Sequence, residues 1–148
     1  MKRTWLNATL ICGALDIGYA MALTAFRGGA AVGDMLRGVA AGPFGGGTKT
    51  WGMAGALAGL GVHFVLMAIM VAAYLQLAKL PAVVRTSPWI AGLLYGLALY
   101  LVMYGLVLPL RFGAPFPPAD FTSLALGLLP HIALVGWPLA FMAKATRG

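Results

Sequence analysis

The sequence predicts an all-α integral membrane protein, a four-helix bundle with a Gly-rich first loop that holds a short interfacial helix. Three observations predict it: the composition, four long apolar runs, and the position of the charges between them. Of 148 residues, 61% are hydrophobic and 9% charged, against about 25% charged in an average soluble domain. A single domain of this length cannot hide so much apolar surface from water, so the surplus faces lipid. Acidic residues number three, Asp16, Asp34 and Asp120, and the net charge is +7. The Lys and Arg residues flank the apolar runs, where they hold helix ends at headgroups and set orientation. With no basic stripe interleaved with aromatics, the positive charge does not point to nucleic acid.

The four runs are residues 6–26, 53–77, 89–108 and 124–142. Each has the ~20 residues that cross a hydrocarbon core of ~30 Å at ~1.5 Å per residue. The first follows Met1-Lys2-Arg3, and Ala20-Met21-Ala22 fits a small-x-small cleavage pattern. A signal-peptide core is shorter than this run, so a retained helix is expected. Its single cysteine, Cys12, allows no internal disulfide and reads as a small buried residue. Trp5, Trp51 and Trp89 stand at the starts of the first three runs, as interfacial aromatics do. Pro109 is expected to close the third. Pro130 and Pro138 are expected to bend the fourth, since each removes a backbone donor and crowds the preceding turn.

The connections differ in kind. Residues 78–88 are few enough to make runs two and three an antiparallel hairpin. Residues 111–123 contain Pro115, Pro117 and Pro118 and should be stiff. The longest connection, residues 27–52, holds nine glycines, yet Val32, Met35, Leu36 and Val39 recur at helical spacing opposite Asp34 and Arg37. That pattern predicts an interfacial helix over residues 32–41, with Asp34 and Arg37 as a solvated ion pair. Gly47-Thr48-Lys49-Thr50 lacks the Gly before the Lys and the flanking strand of a phosphate-binding loop, so no nucleotide is expected.

Depth in the membrane singles out Asp16, His63 and His131, which fall within ~4 Å of one plane when counted along their runs. An ionisable group at that depth costs several kcal/mol unless paired, protonated or hydrated, and is read first as functional. On the first run Thr9, Cys12, Gly13, Asp16, Tyr19 and Ala20 share a small, polar face, with Leu10, Ile17 and Met21 on the other side. On the second, Gly55 and Gly59 form a small-xxx-small contact on the face of His63, Met70 and Tyr74. On the third, Gly92, Gly96, Tyr100 and Tyr104 form a stripe. Facing one another, these stripes build a polar interior in which tyrosine hydroxyls can reach Asp16 or the histidines.

Three functional readings follow, with one structural reading beside them. Asp16 paired with His63, with His131 alongside, can bind a small solute or relay a proton. His63 and His131 can instead be the two axial ligands of a b-type haem, with Gly59 and Gly127 one turn before each leaving room for the porphyrin. They are equally the candidates for a metal site completed by Asp16. In the structural reading the polar groups pin the bundle together, each contact contributing ~0.6–2 kcal/mol, and the protein is an accessory subunit of a membrane complex. No nucleophile–base pair or paired carboxylates suggest a hydrolytic enzyme. So small a chain hardly encloses a transport path, so a homo-oligomer or a larger complex is expected.

Arg27-Gly28 through Ala40-Ala41-Gly42-Pro43-Phe44-Gly45, Gly59-Leu60-Gly61-Val62-His63-Phe64, Gly92-x-x-Tyr95-Gly96 and Val107-Leu108-Pro109-Leu110 together resemble a family of small uncharacterised bacterial inner-membrane proteins with four predicted helices. The resemblance implies a bacterial inner membrane and carries no chemistry. Arg111 departs from it, in a place where a small polar residue is expected. Orientation follows from the flanks. Lys2, Arg3, Lys79, Arg85, Lys144 and Arg147 lie on one side and Arg27, Arg37, Lys49 and Arg111 on the other, which puts both termini in the cytoplasm.

Overall fold

Four helices in the computed structural model are long and apolar enough to cross a membrane, counted among the described residues: α1 (Lys2–Arg27), α3 (Gly52–Leu77), α5 (Pro88–Phe112) and α6 (Phe121–Ala145). The structure describes residues 2–146; Arg147, counted above in the basic flank, lies outside them. Two shorter helices, α2 (Val32–Phe44) and α4 (Pro81–Arg85), sit in the connections. No strand occurs among the described residues. Each long helix exceeds its apolar run by up to a turn at its ends. Ser87 and Asp120 explain two of the starts: each side chain accepts the backbone N–H three residues on, from Ile90 and Ser123, which satisfies one orphan donor of the first turn. Gly113, at φ 66°, stops α5 in the left-handed conformation that glycine adopts without strain.

Pro109 does not close the third helix. The chain runs on to Phe112, and the strain of the proline is taken up by a π-helical turn, Met103–Val107, one turn before it. The fourth helix behaves alike at Pro138: between Pro130 and that proline it passes through a π turn, His131–Gly136, which ends two residues before Pro138 as Met103–Val107 does before Pro109. Widening the turn is a recognised way to fit a residue that cannot donate to the ladder.

Backbone carbonyls and glycines hold the helices together. α1 and α3 are antiparallel neighbours, joined by Trp5 Nε1 donating to the Ala68 carbonyl at 3.0 Å and by the Phe64 ring lying over Gly13. α1 also packs along the second half of α6, where Cys12 lies against the Val135 carbonyl. α5 and α6 meet backbone to backbone. A methyl on Gly92 would stand 2.7 Å from the Gly136 carbonyl oxygen, and one on Gly96 2.5 Å from that of His131. Tyr95 closes α5 onto α3 by donating to the Met70 carbonyl at 2.6 Å. The core between these contacts is Ala8, Cys12, Val71, Val135 and Leu139, with Tyr74 and Leu99 at its edges.

The helix expected in the Gly-rich loop is present and runs beyond residues 32–41 to Phe44, with part of its surface packed on the bundle. Leu36, Ala40 and Ala41 are buried, and Leu36 contacts Ile17 and Ala56 in a second core, with Met21 beside it. The side of α1 that carries Ile17 and Met21 therefore meets protein. Gly55 and Gly59 admit α2 and the turn after it: the Leu36 carbonyl presses on Gly59, and the Thr48 carbonyl oxygen lies 2.7 Å from a Cβ on Gly55. Nor is Asp34–Arg37 a freely solvated pair. Arg37 bonds Asp34 at 2.6 Å and also the Gly52 carbonyl at 3.0 Å, tying α2 to the start of α3. Thr48, fully buried, donates to the Arg37 carbonyl. At the far end of α2, Arg111 donates to the carbonyls of Gly42 and Ala41 at 2.6 and 3.0 Å. Both lie in the last turn of α2, where carbonyls lack a full set of helical donors; that of Ala41 also accepts the Gly45 N–H at 2.9 Å, and the pair accounts for a basic residue at that position.

Candidate functional site

A cavity of about 370 Å³ opens between α1 and the first half of α6. Its origin can be read from the chain. Without an N–H, Pro130 leaves the Leu126 carbonyl, one turn back, without its helical donor. Tyr19 supplies one, its hydroxyl donating across from α1 at 3.0 Å. Beyond the proline, α6 lies against α1; before it, the two helices part, and the wedge between them is the cavity. Asp16, Tyr104 and His131 line its inner part, Ala20, Leu23, Leu126 and Pro130 its walls, and Thr24, Arg27 and Ser123 its mouth.

Both histidines have one ring nitrogen committed to a backbone carbonyl, which can only accept, so that nitrogen carries hydrogen. His63 Nε2 donates to the Gly13 carbonyl at 3.0 Å. That leaves His63 Nδ1 turned to Asp16 Oδ2, 4.0 Å away. His131 Nδ1 donates at 2.7 Å to the Gly127 carbonyl one turn before it, an acceptor left free because the His131 backbone N–H goes to the Leu128 carbonyl instead. Its Nε2 remains the basic nitrogen. Tyr104 and Tyr100 stack with centroids 4.7 Å apart, and both present edge-to-face contacts to the His131 ring at 5.8 and 6.0 Å.

Of the residues singled out in the sequence, the fold gathers Asp16, Tyr19, Tyr104 and His131 around one cavity and places His63 behind Asp16. Tyr100 stands outside the cavity lining, and its buried hydroxyl has no hydrogen-bond partner among the described residues. The hydroxyls are not directed as expected: that of Tyr19 goes to Leu126 and none bonds Asp16. Among the described residues Asp16 accepts no hydrogen bond, and the ionisable group paired with it is His63 at 4.0 Å, longer than a hydrogen bond.

Haem does not fit the space expected for it. The backbone of α2 at Leu36 fills the clearance at Gly59, and the rings of Tyr104 and Tyr100 fill that at Gly127, at 3.0 and 3.1 Å from a Cβ there. The described residues contain no group of three His, Cys, Asp or Glu side chains placed to hold a metal ion. Sequence reasoning missed Gly136, the partner of the Gly92 stripe; Tyr95, which bonds Met70; and Arg27, Thr24 and Ser123 at the cavity mouth. The Tyr19–Leu126 bond had a signal, since a proline in a helix always frees the carbonyl four residues back.

Outside the membrane segments Asp120 caps α6. The Ser123 backbone N–H at 2.8 Å, then its hydroxyl at 2.8 Å, hold the Asp120 carboxyl below the usual carboxylate range, with a smaller contribution from Arg27.

Comparison with protein-family models, with curated proteins and with solved structures yields no match.

Proposed function

We propose that the protein is a multi-pass protein of a bacterial inner membrane, both termini cytoplasmic, that handles a proton-linked small solute at Asp16. The observation that carries this reading is the position of the Asp16 carboxylate. It lies in the middle of a helix of membrane-spanning length, borders a cavity, and has no hydrogen bond to offset its desolvation. A carboxylate so placed is stable only when it takes up a proton, a cation or water. His63 extends the site inward. Its Nε2 is held by Gly13, so its Nδ1 lone pair faces Asp16, and a proton taken up by the carboxyl can pass to it across a gap of 4.0 Å that one water or a small closure bridges. With the mouth at Arg27 and Ser123, the site opens to the non-cytoplasmic side in this orientation. The exposed apolar faces of the long helices meet the lipid bilayer, and a homo-oligomer or larger complex completes any path across it.

The test is proton movement in proteoliposomes, read with an internal pH dye under a clamped membrane potential. The wild type should dissipate an imposed pH gradient faster than empty vesicles, Asp16→Asn should not, and His63→Gln should be slower than wild type. No wild-type flux, or the same flux in Asp16→Asn, would overturn the proposal.

A further inference from the structure

We infer that the solute of this cleft is a small organic cation, a protonated amine or quaternary ammonium, that exchanges with a proton at Asp16; the inference rests on the proton-linked reading above. The inner end of the cavity contains one formal negative charge, Asp16, and aromatic rings from three helices, Tyr19 on α1, Tyr104 on α5 and His131 on α6. A carboxylate beside aromatic side chains recognises an alkylammonium group by charge and by cation–π attraction to the tyrosines, the latter strongest where water is excluded. The walls between, Leu23, Leu126 and Pro130, suit the apolar substituents of such a cation. A volume of about 370 Å³ is at the lower end of small-molecule pockets, which limits the ligand to a small one.

Other ligand classes leave the site unsatisfied. A bare divalent metal needs several hard or imidazole ligands, and the described residues contain no such group. An anion would meet the Asp16 charge at the inner end; Arg27 leaves the backbone of α1 eleven residues further on, about 16 Å along the axis. A neutral solute would leave the carboxylate unpaired. The cation also has a built-in rival. The titratable groups around Asp16 are Cys12 and Tyr19 on its own helix, His63 on α3, Tyr104 on α5 and His131 on α6. Of these, only the two histidines become positive. A proton on Asp16 removes the charge that holds the cation, and a proton on His63 replaces the cation as its partner. Binding of the cation and of the proton are therefore mutually exclusive, which is the coupling an exchanger requires.

The experiment uses the purified full chain in mild detergent with benzyltrimethylammonium as the probe and neopentylbenzene, in which carbon replaces nitrogen, as its neutral isostere. Binding is measured by equilibrium dialysis across a pH series, and proton release is read in weakly buffered solution. The cation should bind at the alkaline end of the series and release protons. Its affinity should fall as much as tenfold per pH unit where Asp16 protonates. Asp16→Asn should abolish both effects while Asp16→Glu retains them, which separates a lost site from a lost fold. Tyr104→Leu should weaken binding roughly two- to thirtyfold, the span of a cation–π contact. Equal binding of the isostere, or undiminished cation binding to Asp16→Asn, would overturn the inference. So would Asp16-dependent proton flux in vesicles with no cation bound, and that result leaves the proton-linked reading standing. Asp16-dependent cation binding without flux would overturn transport and keep the cation site.

Discussion

Replacing Gly59 by alanine tests how the Gly-rich loop is held. Gly59 is buried in α3 under the backbone of α2. An added methyl would clash with the Leu36 carbonyl oxygen and lie 2.6 Å from the Leu36 carbonyl carbon, where ordinary contact begins at 3.4 Å. The obstructing atoms are main chain, so no rotamer change relieves them and α2 must retreat by more than an ångström. Overpacking of this kind costs about 1–3 kcal/mol. The helix preference of alanine over glycine, ~1 kcal/mol in water, partly masks it. Gly61, two residues on in the same helix with nothing within 4 Å of a Cβ, supplies the control, because Gly61→Ala has the propensity gain without the clash. Thermal unfolding in mild detergent, followed by circular dichroism, should put Gly59→Ala below Gly61→Ala by the full 1–3 kcal/mol, at roughly 2–4 °C per kcal/mol for a chain of this size. Adding Leu36→Ala should not rescue it, since the clash is with the backbone. Equal stability of the two alanine variants would refute the placement of α2 on α3.

Tyr19→Phe leaves the Leu126 carbonyl without its donor at the bend and should cost about 0.5–1.5 kcal/mol, measured by the same unfolding assay; no change would mean that water or another donor already serves that carbonyl. At the mouth, the Asp120 carboxyl is held below its ordinary range by Ser123, so its contribution is complete above the ordinary carboxylate value and is lost as pH falls through the lowered one. Hydrogen exchange at the Ser123 amide should therefore lose protection in acid in the wild type but not in Asp120→Asn, whose neutral side chain still accepts the bond; protection that is independent of pH in the wild type would refute the cap.

Four helices of membrane-spanning length were legible because twenty-residue apolar runs leave few alternatives. Their ends were less legible, since polar residues such as Ser87 and Asp120 belong to a helix only through capping bonds that apolarity does not register. The mistake at Pro109 came from treating proline as a stop, whereas in α5 a π turn absorbs it. The depth argument located Asp16, His63 and His131, because an ionisable residue in an apolar run stands out by type alone. It could not tell which of them would share a cavity, since that depends on how helices splay. Gly59 illustrates the limit: its spacing from Gly55 announced a close approach, but nothing in the local pattern said that the approaching backbone belongs to the loop rather than to another spanning helix. Arg37 and Arg111 were hidden for a related reason. Their partners are backbone carbonyls of Gly52, Gly42 and Ala41, and a carbonyl has no sequence signature.

The break in α6 links the packing to the site. An unbroken helix would satisfy the Leu126 and Gly127 carbonyls internally and could pack along α1 for its whole length, as its second half does. Pro130 removes one of those bonds, and the His131 N–H, turned to the Leu128 carbonyl, gives up the other. The two freed acceptors are then taken by Tyr19 and His131, and both acquire a fixed direction as a result. Tyr19 spans the gap between the parted helices. His131, anchored through Nδ1, has its tautomer set with Nε2 as the free base. Gly92, Gly96 and Gly136 hold the rest of α6 against α5 by backbone contact, so the parting is confined to the half before the proline. A small bundle with little soluble mass thereby keeps a polar cavity open at the depth of Asp16, using for its walls the hydrogen-bonding groups that the bend would otherwise leave unsatisfied.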